Sequence, residues 1–367
     1  MTFDERLQAI RANMAARGLD LVVAVHDGGH FIETPNPVTV LSGFKSLGPA
    51  VCLLGRDGDM RLVVVPAWDA ARAKEACPDA TVFAAPDLAD ALDRAVPKGA
   101  RAIGMSGLSD AACGIARIVA DRLPNAVAAD DIVFDAAATK TDDEIVWARQ
   151  ATRIAELNYE HLLEIARPGL SEDELAVAMR MHSRSLGAED NFLMLCAGPH
   201  NRAVAPSNGR RLAPGDIILA EITPSFCGQL AQICRTVVVG EAPSLLRQKY
   251  ALVVEAMNAG IAAARPGARM RDVCAAINTV LEAQGYGEYC YPPHIRRRGH
   301  GLGFASSRPG DVALDNETLL APGMVFMIHP NQYLPETGYL LCGEPVLMGE
   351  TQAEPLTRRQ AALAELR

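Results

Sequence analysis

The sequence predicts a mixed α/β (α+β) protein of two domains, residues 1–138 and 139–367. Three observations predict it. Helical and strand-like patterns alternate through the first domain, as in a layered α/β unit. A polar stretch, Thr139 to Asp143, then breaks the pattern. Beyond it the chain repeats itself: Ala166-Arg167-Pro168-Gly169 recurs as Ala264-Arg265-Pro266-Gly267, 98 residues on.

The bulk numbers bound the class. A chain of 367 residues with 49% hydrophobic and 22% charged residues can fill two cores. Its formal charge of −9 argues against a nucleic-acid partner, which wants a basic face. No apolar run approaches the roughly 20 residues that span a bilayer. The charged, helix-like N-terminus does not read as a signal peptide, so a cytoplasmic protein is expected. Nine cysteines, odd in number and without a CxxC pair, suit neither a zinc site nor a disulfide framework.

In chain order, residues 5–18 carry helical spacing, and Leu21 to Val25 reads as a buried strand. Val38 to Leu41, Ala50 to Leu54 and Arg61 to Val65 read as further strands, the last two joined by the hairpin signal Arg56-Asp57-Gly58-Asp59. Helices over 68–76, 87–95 and 111–123 alternate with strands near 80–84 and 101–104. Thr141 and Glu144 form a capping-box pattern that opens a long helix to about Ala166.

Each Arg-Pro-Gly is followed by a helix, Glu172 to Ser185 and Arg271 to Ala283. Then come Gly198-Pro199-His200 in one copy and Arg298-Gly299-His300 in the other. Next are two turn-strand units, Ala213-Pro214-Gly215 leading to Glu221 and Ala321-Pro322-Gly323 leading to His329, followed by final strands over Gln229–Val239 and Tyr339–Met348. Glu221 and His329 lie 108 residues apart at equivalent places. Each is a lone ionisable group at the end of an apolar strand, where an unpaired charge is costly. Two such halves pack most simply about a pseudo-two-fold axis, which brings Glu221, His200, His300 and His329 together.

In these motifs the sequence resembles the creatinase/prolidase/methionine-aminopeptidase superfamily. The carrying stretches are the two Arg-Pro-Gly turns, Leu-Ala-Pro-Gly-Asp at 212–216, Cys-Arg-Thr at 234–236, Gly-His-Gly-Leu-Gly at 299–303 and Pro-Gly-Met-Val-Phe at 322–326. The resemblance implies a duplicated "pita-bread" catalytic domain, preceded by a domain similar to that of prolidases and creatinases.

The metallopeptidases of that superfamily hold two divalent ions with two Asp, one His and two Glu. The positions that match here are Glu221, Gln232, His300, His329 and Gly343, with Glu344 beside the last. Two ions held close together need bridging carboxylates, and Gln232 and Gly343 supply none. The family's second histidine is replaced around Ser306-Ser307-Arg308-Pro309. The expectation is therefore a site without a metal or other cofactor. A single divalent ion on Glu221, His300 and His329 is the less favoured alternative.

Creatinase is the metal-free member of the superfamily, and its catalytic histidine lies in a stretch similar to Gly198-Pro199-His200-Asn201. The resemblance implies His200 as general acid and base, with His300, His329 and Glu221 completing the catalytic set. Cys234 and Cys342 stand near creatinase's guanidinium-binding acids, which argues against creatine itself. Arg308 is the first choice for a substrate carboxylate, ahead of Arg296, Arg297 and Arg298. Glu344 and Tyr333 are further substrate-binding candidates, with Asn331 on the same rim. The resemblance also implies a homodimer whose partner N-terminal domain closes the site, which gives Phe44 and Lys45 a substrate role.

The expected function is a metal-independent hydrolase of a C–N bond in a small carboxylate-bearing amide, amidine or lactam. The alternatives are an Xaa-Pro dipeptidase-like metallopeptidase with an altered metal site, a lyase on a small carboxylate, and a non-catalytic binding relative.

Overall fold

The computed structural model describes residues 1–305 and 308–366. The chain divides into two compact units. One comprises Met1–Thr141 with Phe304 and Ala305; the other runs from Asp142 to Gly303 and continues from Arg308.

In the first unit the elements are α1 (Phe3–Ala16), β1 (Leu21–His26), α2 (Pro37–Ser42), β2 (Ala50–Gly55), β3 (Met60–Val64), α3 (Ala70–Ala76), β4 (Thr81–Ala84), α4 (Leu88–Ala95), β5 (Ile103–Ser106), α5 (Cys113–Arg122), β6 (Val127–Ala128) and α6 (Asp130–Ala138). The strands form one mixed sheet in the order β4-β3-β2-β1-β5-β6. β1 pairs antiparallel with β2 and parallel with β5. It is buried on both faces, as a strand covered by helices on each side must be. Val22 and Ala24 pack into one core with Ile10, Val38 and Ile132. Leu21, Val23 and Val25 pack into the other with Leu92 and Val119.

Val38 to Leu41, expected as a strand, is helical. Asn36 caps it, its Oδ1 accepting from Thr39 N at 3.0 Å. Pro37 occupies the first helical turn, and Gly43 at φ +70° ends it. All six residues of the short helix are buried, so no periodicity survives to distinguish it from a strand. Phe44 follows and is 1% exposed in the same core, with Arg72 over its ring at 5.7 Å. Its expected substrate role is corrected by that burial. The half-buried Lys45 offers its carbonyl to Arg72 Nη2 at 3.1 Å.

In the second unit the elements are α7 (Asp142–Ile165), α8 (Glu172–Ser185), β7 (Asp190–Gly198), β8 (Ile217–Phe226), β9 (Gln229–Leu230), β10 (Ile233–Val239), α9 (Ser244–Ala263), α10 (Met270–Ala283), β11 (Gly299–Gly301), β12 (Val325–Ile328), β13 (Gln332–Leu334), β14 (Gly338–Leu340), β15 (Glu344–Met348), β16 (Ala353–Pro355) and β17 (Ala364–Leu366). The duplication is visible in the pairing. β8 lies antiparallel between β7 and β10, and β12 lies antiparallel between β11 and β15.

The two Pro-Gly turns are built alike. Asp216 N donates to Ala213 O at 3.1 Å, and Met324 N donates to Ala321 O at 3.3 Å. Gly215 and Gly323 sit at φ +86° and +84°, the third position of a type II turn, which requires positive φ. Gly215 N reaches Val239 O at 2.7 Å and Gly323 N reaches Met348 O at 2.8 Å. The sheets meet where Cys234 and Gly343 exchange backbone hydrogen bonds of 3.3 and 3.2 Å. That bridge is antiparallel, as equivalent segments related by a local two-fold must pair. The result is a mixed α/β chain whose second unit has the pita-bread architecture.

Candidate active site

Glu221 projects from the middle of β8. Cys234 on β10 lies directly opposite, so their side chains share a face. Cys234 Sγ is 3.8 Å from Glu221 Oε1. Gln232, two residues earlier and on the same face, has Nε2 3.5 Å from Glu221 Oε2. Asn331 Nδ2 donates to Glu221 Oε1 at 3.2 Å, while its Oδ1 accepts from Cys342 N at 3.1 Å. Burial raises the Glu221 carboxyl above the ordinary carboxylate range, against the opposing effects of Cys234, the Arg297 charge and Asn331.

The second repeat adds two imidazoles, one of which reaches the Gln232 amide beside this carboxyl. His300, on β11, has Nε2 2.8 Å from Gln232 Oε1 and Nδ1 3.0 Å from Gly301 O. The His329 ring stands 5.4 Å from it, edge-on at 61°. His329 directly follows β12, and its backbone N donates to Arg298 O at 2.9 Å. Its Nδ1 is buried with no hydrogen-bond partner among the described residues. Burial holds His329 well below the usual histidine range, reinforced by His300 and Arg297, so the ring is neutral at pH 7.

Of the four arginines weighed from the sequence, Arg297 is the one whose charge acts on both Glu221 and His329. It is anchored to Asp311 Oδ1 at 3.0 Å. Arg298 is buried and holds Pro330 O and Asn331 O at 3.3 and 3.2 Å, which positions the segment carrying Asn331. Arg296 is exposed and pairs with Asp311 at 3.3 Å. Arg308 is half-buried, and its backbone passes close against Gly301. Ser306 and Ser307, which stand in the replaced histidine stretch, lie outside the described residues.

The remaining candidates are dispersed. His200 is exposed, with Nε2 3.0 Å from Pro335 O and its ring 5.9 Å from that of Tyr333. No described hydrogen bond or ring contact joins it to Glu221, His300 or His329. Tyr333 is half-buried on the β13–β14 hairpin, with the His200 ring edge-on to it and the Tyr289 ring tilted against it at 5.6 Å. Cys342 packs its sulfur on Met257 Sδ at 3.6 Å, and burial pushes its thiol up to about 12. Cys234 is pushed well above the usual thiol range by burial and the Glu221 charge. Neither thiol is an activated nucleophile. Glu344 is fully buried, with Arg235 at 3.1 Å, Thr357 Oγ1 at 2.6 Å and Ala361 N at 2.6 Å. Its expected contact with substrate is corrected to a structural ion pair. Sequence reading also missed Tyr339, whose phenol is raised by burial and by the Glu221 charge.

A model of metallopeptidase family M24 matches residues 147–350, more than half of the chain. The chain belongs to metallopeptidase family M24. Among curated relatives, the Xaa-Pro dipeptidase of Pyrococcus furiosus is 28% identical over 64% of this chain and 67% of its own length. The uncharacterized peptidase YqhT of Bacillus subtilis is 27% identical over 59% of this chain, the match spanning 62% of that protein's length. The crystal structure of the prolidase from Pyrococcus horikoshii OT3 superposes with a TM-score of 0.85 at 22% identity, covering 97% of this chain and 99% of that one. The Xaa-Pro dipeptidase from Bacillus anthracis gives 0.85 at 20% identity over 100% of both chains. At those identities the superpositions establish the fold.

These matches overturn two expectations. The metal-independent hydrolase of non-peptide C–N bonds gives way to the peptidase alternative, since the relatives named by activity are Xaa-Pro dipeptidases. The expectation of no cofactor gives way as well, because the family is one of metallopeptidases. The side chains present nevertheless do not fit a two-metal centre. Among the described residues no three His, Cys, Asp or Glu side chains stand together as an ion site. Gln232 faces His300 where a carboxylate ligand is expected. At Gly343 a Cβ would lie 2.6 Å from His329 Cβ and 2.9 Å from Ile328 O, so this backbone leaves no room for a ligating side chain.

Proposed function

We propose that this chain hydrolyses peptide bonds in short peptides, with Xaa-Pro dipeptides as the first substrate class, at a rebuilt M24 centre. One observation carries the proposal. Within the segment that matches the family, both repeats deliver ionisable groups to one cluster: Glu221 from β8, His300 from β11 and His329 after β12. A fold kept only for binding does not need such groups gathered around one amide, Gln232, which lies beside Glu221 and His300.

The roles assigned here rest on the chain's own groups. His329, neutral and with a free Nδ1, is suited to take a proton and return it to a leaving amine. Glu221, biased toward its protonated form and held by Asn331, is suited to donate a hydrogen bond to a carbonyl that is gaining negative charge. The Arg297 charge favours an anionic group beside them, such as the carboxylate of a dipeptide. No step is derived through a metal ion, because the donor set does not form its site.

The test is a substrate panel of Ala-Pro, Gly-Pro, Pro-Ala and creatine, incubated with the full chain, with Mn(II) or Co(II) added and with chelator. The proposal expects cleavage of Xaa-Pro dipeptides. Turnover of creatine without turnover of any dipeptide would sink it.

A further inference from the structure

The second unit also holds a cavity of about 390 Å³ whose lining includes none of Glu221, His300 and His329. Arg296, Arg297 and Arg298 line it, together with Asn278 from α10. Two of the three are already paired, since Arg296 and Arg297 share Asp311 at 3.3 and 3.0 Å. Arg298 is different. It is 1% exposed, and its described hydrogen bonds run to the neutral oxygens of Asn278, Pro330, Asn331 and Gln332, at 2.7 to 3.3 Å. Its Nη2 is buried with no partner among the described residues. A buried guanidinium without an anion is a costly arrangement, and so is an unmatched N–H pair on the same group.

The neighbouring groups do not supply the missing charge. Cys274 and Cys290 also line the cavity, but burial pushes Cys274 up to about 11 and raises Cys290, so both are neutral thiols at pH 7. Asp315 lines the wall but is exposed, where solvent screens it.

We propose that this cavity binds a small oxyanion, a carboxylate or a phosphate group, through the unpartnered Nη2 of Arg298, which lines its wall. The planar fork of a guanidinium matches either group bidentately. The cavity volume leaves room for a molecule larger than the bare ion. This inference does not rest on the peptidase reading, because it turns on Arg298, which has no substrate contact assigned in hydrolysis.

The test is calorimetric titration of the full chain with inorganic phosphate and, separately, with succinate, against chloride at matched ionic strength. Leu314 lines the cavity and is 45% exposed, so it can be changed without disturbing a core. Leu314→Glu adds a negative charge to the wall, and Leu314→Gln adds the same shape without it. The expected result is saturable binding of one or both oxyanions to the wild type. Leu314→Glu should weaken it about tenfold, while Leu314→Gln stays within about twofold of the wild type. Phosphate alone, succinate alone, or both identify which oxyanion the site accepts. Binding no stronger than chloride, or the same affinity in the two variants, overturns the proposal.

Discussion

His300 and Gln232 are locked together across the two repeats: His300 Nε2 lies 2.8 Å from Gln232 Oε1, and the same ring's Nδ1 lies 3.0 Å from Gly301 O. Both ring nitrogens face oxygens, so the donor and acceptor roles of the ring are tied to the orientation of one amide. The amide's other end faces Glu221 at 3.5 Å. Gln232 thus stands between the carboxyl of one repeat and the imidazole of the other.

Gln232→Glu tests what that amide does. It sets a second carboxylate beside Glu221 in a buried place, where like charges cannot both ionise cheaply. The variant is expected to melt lower than wild type without metal. Mn(II) at a hundredfold excess over its Kd should then stabilise it by about 2.7 kcal/mol. Equal Mn(II)-induced shifts in variant and wild type would show that Gln232 is not what shapes the site.

Gly343 is a packing requirement as much as a lost ligand. Gly343→Ala places a Cβ 2.5 Å from Met327 Cε and 2.6 Å from His329 Cβ. His329 has to move, so a stability loss of about 1–3 kcal/mol is expected, together with a fall in peptidase activity. Denaturant titration and a dipeptide assay on the same preparation check both. An unchanged melt would mean that the cluster is looser than described.

The Arg235–Glu344 pair holds the two repeats together at 3.1 Å with both side chains buried. Glu344→Gln leaves a guanidinium buried without its counter-charge and should cost about 3–5 kcal/mol in urea denaturation. The paired replacement of Arg235 by Met and Glu344 by Leu should recover most of that loss, because it removes both charges. If Glu344→Gln costs under about 1 kcal/mol, the pair is not structural.

Acid should destabilise the protein partly through His329. Its native form resists protonation, while in the unfolded chain the ring titrates near the ordinary value of about 6.5. The unfolded state therefore binds the extra proton below pH 6.5. Stability is full above that value and falls as pH drops, by up to about 1.4 kcal/mol per pH unit. Glu221, raised by burial, has the opposite sign, because the native state keeps a proton that the unfolded state loses. The check is accordingly a difference: between pH 6.5 and 5, wild-type stability should fall more steeply than that of His329→Gln. Parallel curves would mean that His329 is charged in the native protein.

Much of the fold was legible because the duplication is written in turn chemistry. Pro-Gly demands a particular turn, and the same turn opens β8 and β12. The convergence of Glu221, His300 and His329 followed from that symmetry. Local misreadings arose where burial erased periodicity, as in α2, where the cap residues Asn36 and Pro37 were the available signal. The site was read less well. His200 shares a motif with a catalytic histidine, yet it sits exposed against Pro335, and a motif does not say which way a loop end turns. Arg297 was ranked behind Arg308, and Gln232 was read only as a lost ligand position, because only their packing sets them apart from their neighbours. The lost ligand positions were readable residue by residue, but reading them as a change of reaction class was overturned by the family match.

Hydrolysis of Ala-Pro by wild type, His329→Ala and His200→Ala, measured side by side with saturating Mn(II), tests the central claim most directly. The cluster account predicts that wild type cleaves the dipeptide and that His329→Ala loses about a hundredfold or more in kcat/KM. It predicts that His200→Ala retains activity within about tenfold. No cleavage by the wild type, or full activity in His329→Ala, would contradict it.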